Sequence, residues 1–309
     1  MKGKPEKQHW VPHFYLRYFA TPETRDTNNP QAWIFSKDAG DPIIVNLKKV
    51  AAQRYLYSPK DHEGKRDWKT DDKLTHLEYV MGFIWPSVAN DFIGLENGSL
   101  RKGLSLFIST LYLRHPANID LNRKIHRKLI DLYETLPKDA EGNLCIDTIM
   151  HEGKEYKFIN SGYNEYKTAD KNEFKKMFIN SLNSNAIPTA KILMEKRWSI
   201  IFSDKPVFIT TDKPVVTENL EKLNFGLKTK GTIIMFPLSP TRLLVMDDRQ
   251  DQPNGRYYPL GEQGPGPFNL GLWSNAKQFM ISPRHTDDVC TEMLLWADKY
   301  QKNDNFQRK

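Results

Sequence analysis

Two cysteines in 309 residues, Cys145 and Cys290, are too few and too far apart for a disulfide framework, a redox pair or a zinc quartet. The longest apolar stretches, such as GLSLFISTLYL, fall short of the roughly 20 residues that a membrane-spanning helix needs. The basic start, MKGKPEKQHW, leads into no apolar run of the signal-peptide kind. The expectation is a cytoplasmic chain with free thiols and no membrane contact. Signatures with a fixed mechanism are missing as well. There is no G-x-x-x-x-G-K-[ST], no G-x-G-x-x-G, no H-E-x-x-H and no G-x-S-x-G, so none of those standard chemistries is indicated. No long-period repeat is visible, only a short echo between SDKPVF and TDKPVV that fits two turns of one design.

Charged residues make up 27% and hydrophobic residues 39% without segregating into blocks, which predicts a folded globular chain. The 12% aromatic content, seven tryptophans included, supplies large units of buried area. A formal net charge of +7 permits attraction to nucleic acid or another polyanion, although charge alone does not establish it.

The periodicity changes along the chain. QAWIFSKDAGDPIIVNL reads as a hairpin around DAGD. From Asp71 or Asp72, Leu74, Leu77, Met81, Ile84 and Val88 recur at helical spacing, with Pro86 expected to kink or stop the helix. A second helix ends at Pro116, and a third carries Leu121, Ile125, Leu129 and Leu132 on one face. Residues 137–171, with Gly142, Gly153 and Gly162, read as a small hairpin or a long loop. A fourth helix spans about Lys171 to Lys196, interrupted at Pro188. From Trp198 the period becomes two, and RWSIIFSDKPVFITTDKPVV and GTIIMFPLSPTRLLVMDD read as two strand pairs. A closing helix from Thr286 or Asp287 turns Val289, Met293, Trp296 and Tyr300 inward. The class is α+β: a small N-terminal β element (1–70), a central helical bundle (71–197), and a C-terminal antiparallel β region with a closing helix (198–309), all in one domain.

Four residues stand out chemically. In KQHWVPHFYLRYFATP, His9 and His13 are four apart, which on one helix would suit a shared metal. Pro12 argues against that, since a helix here starts near the proline and leaves His9 outside it. His13 then reads as partly buried and hydrogen-bonded, whereas His9 is either structural or a site residue. Glu78 borders the apolar stripe of its helix and needs a partner there. Arg114, along the apolar face of the next helix, is the candidate, and a purely structural pair is the competing reading. His115 can join either arrangement. Asp212 ends the strand VFIT, where an aspartate caps its own backbone or serves metal or general-base chemistry.

The ordered set QHWVPHFYLRYFA, RYLYS, Glu78, Arg114 with Pro116, Trp198, FITTDKPV and FPLSP resembles the bacterial domain-of-unknown-function 4238 family. Thr211 replaces the serine usual in the FITTDKPV motif. The resemblance implies His9, Glu78, Arg114 and Asp212 as hallmark positions and a setting among prophage cargo and anti-phage defence proteins, with no chemistry attached. The functional expectation is an anti-phage effector, a metal-dependent nuclease or other nucleic-acid-acting hydrolase. Glu78 and Asp212 would hold Mg2+ or Mn2+, His9 would move a proton, and Arg114 would stabilise charge on phosphate. The alternative is a non-enzymatic sensor that binds a phage component as its trigger.

Overall fold

The structure is a computed structural model and describes residues 4–38, 40–141, 144–145, 148–151, 153–157 and 163–307. Strand β1 (Lys7–His9) leads through Pro12, with φ −60° and ψ 139°, into the single-turn helix α1 (His13–Leu16). The proline ring fixes the turn from extended to helical backbone, as the sequence predicts. Hairpin β2 (Gln31–Ser36) and β3 (Ile43–Asn46) forms as expected, with Ile34 opposite Ile43. Strand β4 (Ala52–Arg54) returns to pair antiparallel with β1, placing His9 opposite Ala52.

Four helices follow: α2 (Lys69–Asn90), α3 (Gly98–Leu113), α4 (Ala117–Thr135) and, after a short hairpin and α5 (Tyr163–Lys167), α6 (Lys171–Glu195). The hairpin comprises β5 (Thr148–His151) and β6 (Lys154–Lys157) and turns at Gly153 with φ +74°. Gly142 and Gly162 lie outside the described residues. Asn97 and Asp170 cap α3 and α6 by accepting main-chain N–H groups of the first turn. Pro86 and Pro188 do not stop their helices, because packed neighbours hold α2 and α6 on course through them. At the end of α2 the Arg242 guanidinium donates to the carbonyls of Ala89 and Asn90, which is where a cation suits a helix terminus.

α4 departs from the simplest amphipathic reading. Leu121, Ile125, Leu129 and Leu132 do share a face, but they remain 44–52% exposed. The helix instead rests on α6 through His126, which is buried against Tyr166 and Phe174.

The C-terminal third builds two sheets. The first has the order β12-β7-β11-β10-β9, from β7 (Arg197–Phe202), β9 (Val216–Glu218), β10 (Ile233–Ser239), β11 (Arg242–Asp247) and β12 (Arg256–Pro259). The β10–β11 hairpin matches expectation. The first expected strand pair does not form, because β7 takes β11 and, in parallel, β12 as neighbours. The second sheet has the order β3-β2-β13-β8, from β8 (Thr210–Thr211) and β13 (Phe279–Ser282) with the N-terminal hairpin. The two ends of the chain therefore share one sheet. Helices α7 (Gly266–Asn275) and α8 (Thr286–Gln307) complete the order, and α8 buries Val289 and Met293 with Trp296 half-buried. The side chain of Tyr300 lies outside the described residues.

The main core draws on every region. Tyr15 lies 5.3 Å from Phe236 and 5.6 Å from Trp85, and Trp85 lies 5.1 Å from Phe107. The buried Tyr15 hydroxyl is satisfied by Thr210 Oγ1 at 2.7 Å and by the Pro237 carbonyl at 2.8 Å. Among the described residues, no helix is long and apolar enough to cross a membrane.

Candidate functional site

Arg114 is the C-cap residue of α3 and is fully buried. A guanidinium there must find acceptors, and it finds two. Nη1 donates to Glu78 Oε1 at 2.7 Å, and Nε donates to the Trp10 carbonyl at 2.8 Å. Nη2 is buried with no hydrogen-bond partner among the described residues. Glu78 stands on α2 with its side chain 27% exposed. Burial pushes its carboxyl above the usual range, the Arg114 charge and hydrogen bond oppose this, and Asp71 adds to the rise.

His9 and His13 flank this arginine. Pro12 keeps them off one helical face, yet the turn it sets brings the rings to 6.2 Å between centroids, edge to face. The expectation that His13 is hydrogen-bonded does not hold at its Nε2. Like His9 Nε2, that atom is buried without a partner among the described residues. Burial lowers the His9 pKa to about 4, helped by His13, Arg114 and Lys7 and opposed by a hydrogen bond to the Lys48 main chain. That bond favours the charged ring, so the acceptor is the Lys48 carbonyl and the donor is a ring N–H. His13 is lowered too, by burial first and then by Lys48 and Arg17. The surroundings are cationic and burial disfavours a charge on either ring, which suits an anion more than a metal ion.

Asp212 is fully buried and saturated. Its Oδ1 accepts the Lys277 N–H at 3.0 Å, and its Oδ2 accepts the Gln278 N–H at 3.0 Å and faces His115 Nε2 at 3.1 Å. The Ala117 N–H donates to His115 Nδ1 at 3.0 Å, so the ring proton sits on Nε2 and is given to Asp212. Trp10 ties the halves together. Its carbonyl accepts from Arg114, its indole N–H donates to the Asp212 carbonyl at 3.0 Å, and its ring packs on His115 at 5.7 Å. Below it, Tyr57 donates to the Arg114 carbonyl at 3.3 Å, and Gln8 accepts the Tyr57 N–H at 2.6 Å. The main-chain turn beneath β1 is strained, with Ala51 at φ +49°, and its carbonyl receives the Trp10 N–H.

Glu78, Arg114 and Asp212 thus belong to one network through Trp10, with His9 beside it in β1 against His13, but they do not form one metal site. Glu78 is held by Arg114, and Asp212 is held by two main-chain N–H groups and His115. Among the described residues no three His, Cys, Asp or Glu side chains converge to hold an ion. The Glu78–Asp212 pair does not fit a shared Mg2+ or Mn2+, and no step is routed through one. Sequence reasoning misses Trp10 and His13 as site residues and leaves His115 unassigned. The only signal for them is their position beside the residues it selects.

Residues 7–297 match the family described as "Protein of unknown function (DUF4238)". The protein is a DUF4238 member. No curated protein and no solved structure gave a match. Within this DUF4238 chain, Thr211 keeps the function of a hydroxyl at its position, accepting the Lys213 N–H at 3.1 Å. Trp198, another motif position, is fully buried and donates its indole N–H to the Leu193 carbonyl.

Proposed function

We propose that the protein is a nucleic-acid-acting phosphodiesterase serving bacterial anti-phage defence. The observation that carries this reading is the group of buried, unpartnered nitrogens His9 Nε2, His13 Nε2 and Arg114 Nη2 in cationic surroundings. An unpaired buried guanidinium edge costs free energy that a bound oxyanion returns. Arg114 Nη2 binds a phosphoryl oxygen and stabilises the charge that develops on it. His9 Nε2 takes the proton of the attacking hydroxyl, and Glu78 holds Arg114 in place. The net charge of +7 supports polyanion binding. The defence setting rests on the family resemblance. Because Asp212 is saturated by hydrogen bonds, the reading does not depend on the Mg2+ or Mn2+ expected at Glu78 and Asp212.

The test incubates purified protein with RNA and DNA in Mg2+, Mn2+ or EDTA, with and without lysate of phage-infected cells. Cleavage that is lost in His9→Asn and Arg114→Lys supports the reading. Intact substrate in every arm overturns it. A second reading, a sensor of a phage component, is favoured by the exposed Tyr79–Phe83 ring pair on α2, 65% and 69% exposed with centroids 4.8 Å apart. Under that reading His9→Asn keeps protection in infected cells, and Tyr79→Ala with Phe83→Ala abolishes it.

A further inference from the structure

The site contains an acid–base pair and an oxyanion donor, but the described side chains around it supply no nucleophile. The Tyr57 hydroxyl donates to the Arg114 carbonyl, and burial raises its pKa well above the usual phenol value. Cys145 and Cys290 belong to other regions, on the approach to β5 and in α8. The two hallmark carboxylates have separate partners and do not converge to activate water through a metal ion. A nucleophile carried by the substrate itself resolves this, since an intramolecular attack at effective molarities of roughly 10⁵–10⁸ M needs only positioning and proton transfer.

We propose that the substrate is RNA and that His9 and His13 work as a pair, cleaving the chain by attack of the ribose 2′-hydroxyl on the adjacent phosphate. This deepens the phosphodiesterase reading and rests on it. His9 Nε2, buried without a hydrogen-bond partner among the described residues, accepts the 2′-hydroxyl proton. The O2′–P bond forms as the P–O5′ bond breaks. His13, entering as imidazolium, gives its Nε2 proton to the departing O5′. The products are a 2′,3′-cyclic phosphate and a 5′-hydroxyl, with no water consumed and no change of oxidation state. His9 ends protonated and His13 neutral, and exchange with water resets both. The rings lie 6.2 Å apart between centroids, and each Nε2 lacks a hydrogen-bond partner among the described residues. Arg114 Nη2 binds a non-bridging oxygen. His9, His13 and Glu78 are each partly exposed beside the buried Arg114, so the phosphate approaches along that side.

The groups facing the rings are His9, His13, Lys7, Arg17, Lys48 and Arg114, so every fixed neighbouring charge disfavours the imidazolium. The phosphate favours it, as does the hydrogen bond to the Lys48 main chain at His9. The rate therefore falls as pH rises through neutrality, because the fraction of His13 carrying a proton falls.

The experiment uses full-length protein, lysate of phage-infected cells as activator, EDTA throughout, and three oligonucleotides of one sequence: RNA, DNA, and DNA with a single ribonucleotide. The expected result is cleavage of the RNA, no cleavage of the DNA, and one cut in the mixed strand, 3′ of the ribose. New ends carry cyclic phosphate and 5′-hydroxyl. His13→Gln, checked for unchanged melting temperature, cuts about 10²–10⁴-fold more slowly. Cleavage of DNA, or ends bearing 5′-phosphate, overturns the two-histidine transfer while the phosphodiesterase reading stands. A His13→Gln protein that cuts at full rate does the same. No cleavage of any strand overturns both. The mixed strand decides the matter even if every histidine variant fails to fold.

Discussion

A neutral imidazole under a lid of side chains binds protons more weakly than it does in an unfolded chain. His9 titrates near 4 in the fold against 6.5 when free. Its folded pKa is depressed, so its contribution to stability is complete above pH 6.5 and is lost as pH falls toward 4. We expect His9→Gln to flatten the dependence of melting temperature on pH across that window, as followed by calorimetry. Arg114 offers a second case. Arg114→Lys keeps the charge but cannot serve Glu78 and the Trp10 carbonyl in the same fork geometry. The expected cost is about 1–3 kcal/mol in urea unfolding, together with loss of cleavage. Glu78→Gln keeps an oxygen acceptor for Nη1, so it should retain more activity than Glu78→Ala. The residues involved are only partly legible in the sequence. Glu78 and Arg114 are identifiable because each is a charge on an apolar stripe. The free Nε2 of His13 is not, because Pro12 correctly excludes a shared helical face yet says nothing of rings meeting across a turn.

Among the elements, helices with one strong apolar stripe are legible, and α2 buries Leu74, Met81 and Val88 as spacing predicts. Its run through Pro86 is not legible locally, because it depends on neighbours from the rest of the chain. In α4 the same kind of stripe stays half exposed. A contact that seats this helix on α6 is His126, a residue no apolar count selects. Apolar spacing therefore misjudges which side chains hold α4. Ile125→Lys or Leu129→Lys should move the melting temperature little, whereas His126→Asp should lower it clearly. The strand pairs follow the same division. The local hairpins β2–β3 and β10–β11 are marked by alternation and turns. The parallel β7–β12 pair and the insertion of β13 between β2 and β8 join distant segments, and no local pattern records that.

For the whole molecule, the network ties the beginning of the chain to its late part. Trp10 donates to the Asp212 carbonyl, and Asp212 in turn is fixed by the N–H groups of Lys277 and Gln278. β13, which follows directly, lies between β2 and β8. Asp212→Asn replaces one acceptor oxygen with a donor facing N–H groups, and we expect it to lower stability by about 1–3 kcal/mol. Its effect on cleavage should follow the folded fraction, measured by circular dichroism on the same samples. This sharing of one sheet by both ends also has a meaning in time. During synthesis His9, His13 and Arg114 emerge before Asp212, which anchors Trp10, and before Lys277 and Gln278, which hold Asp212. A nascent chain therefore has its reactive residues long before it has the frame that aims them. Under the RNA-cleavage proposal, a cell's own messages and ribosomes are spared until Lys277 and Gln278 have been made.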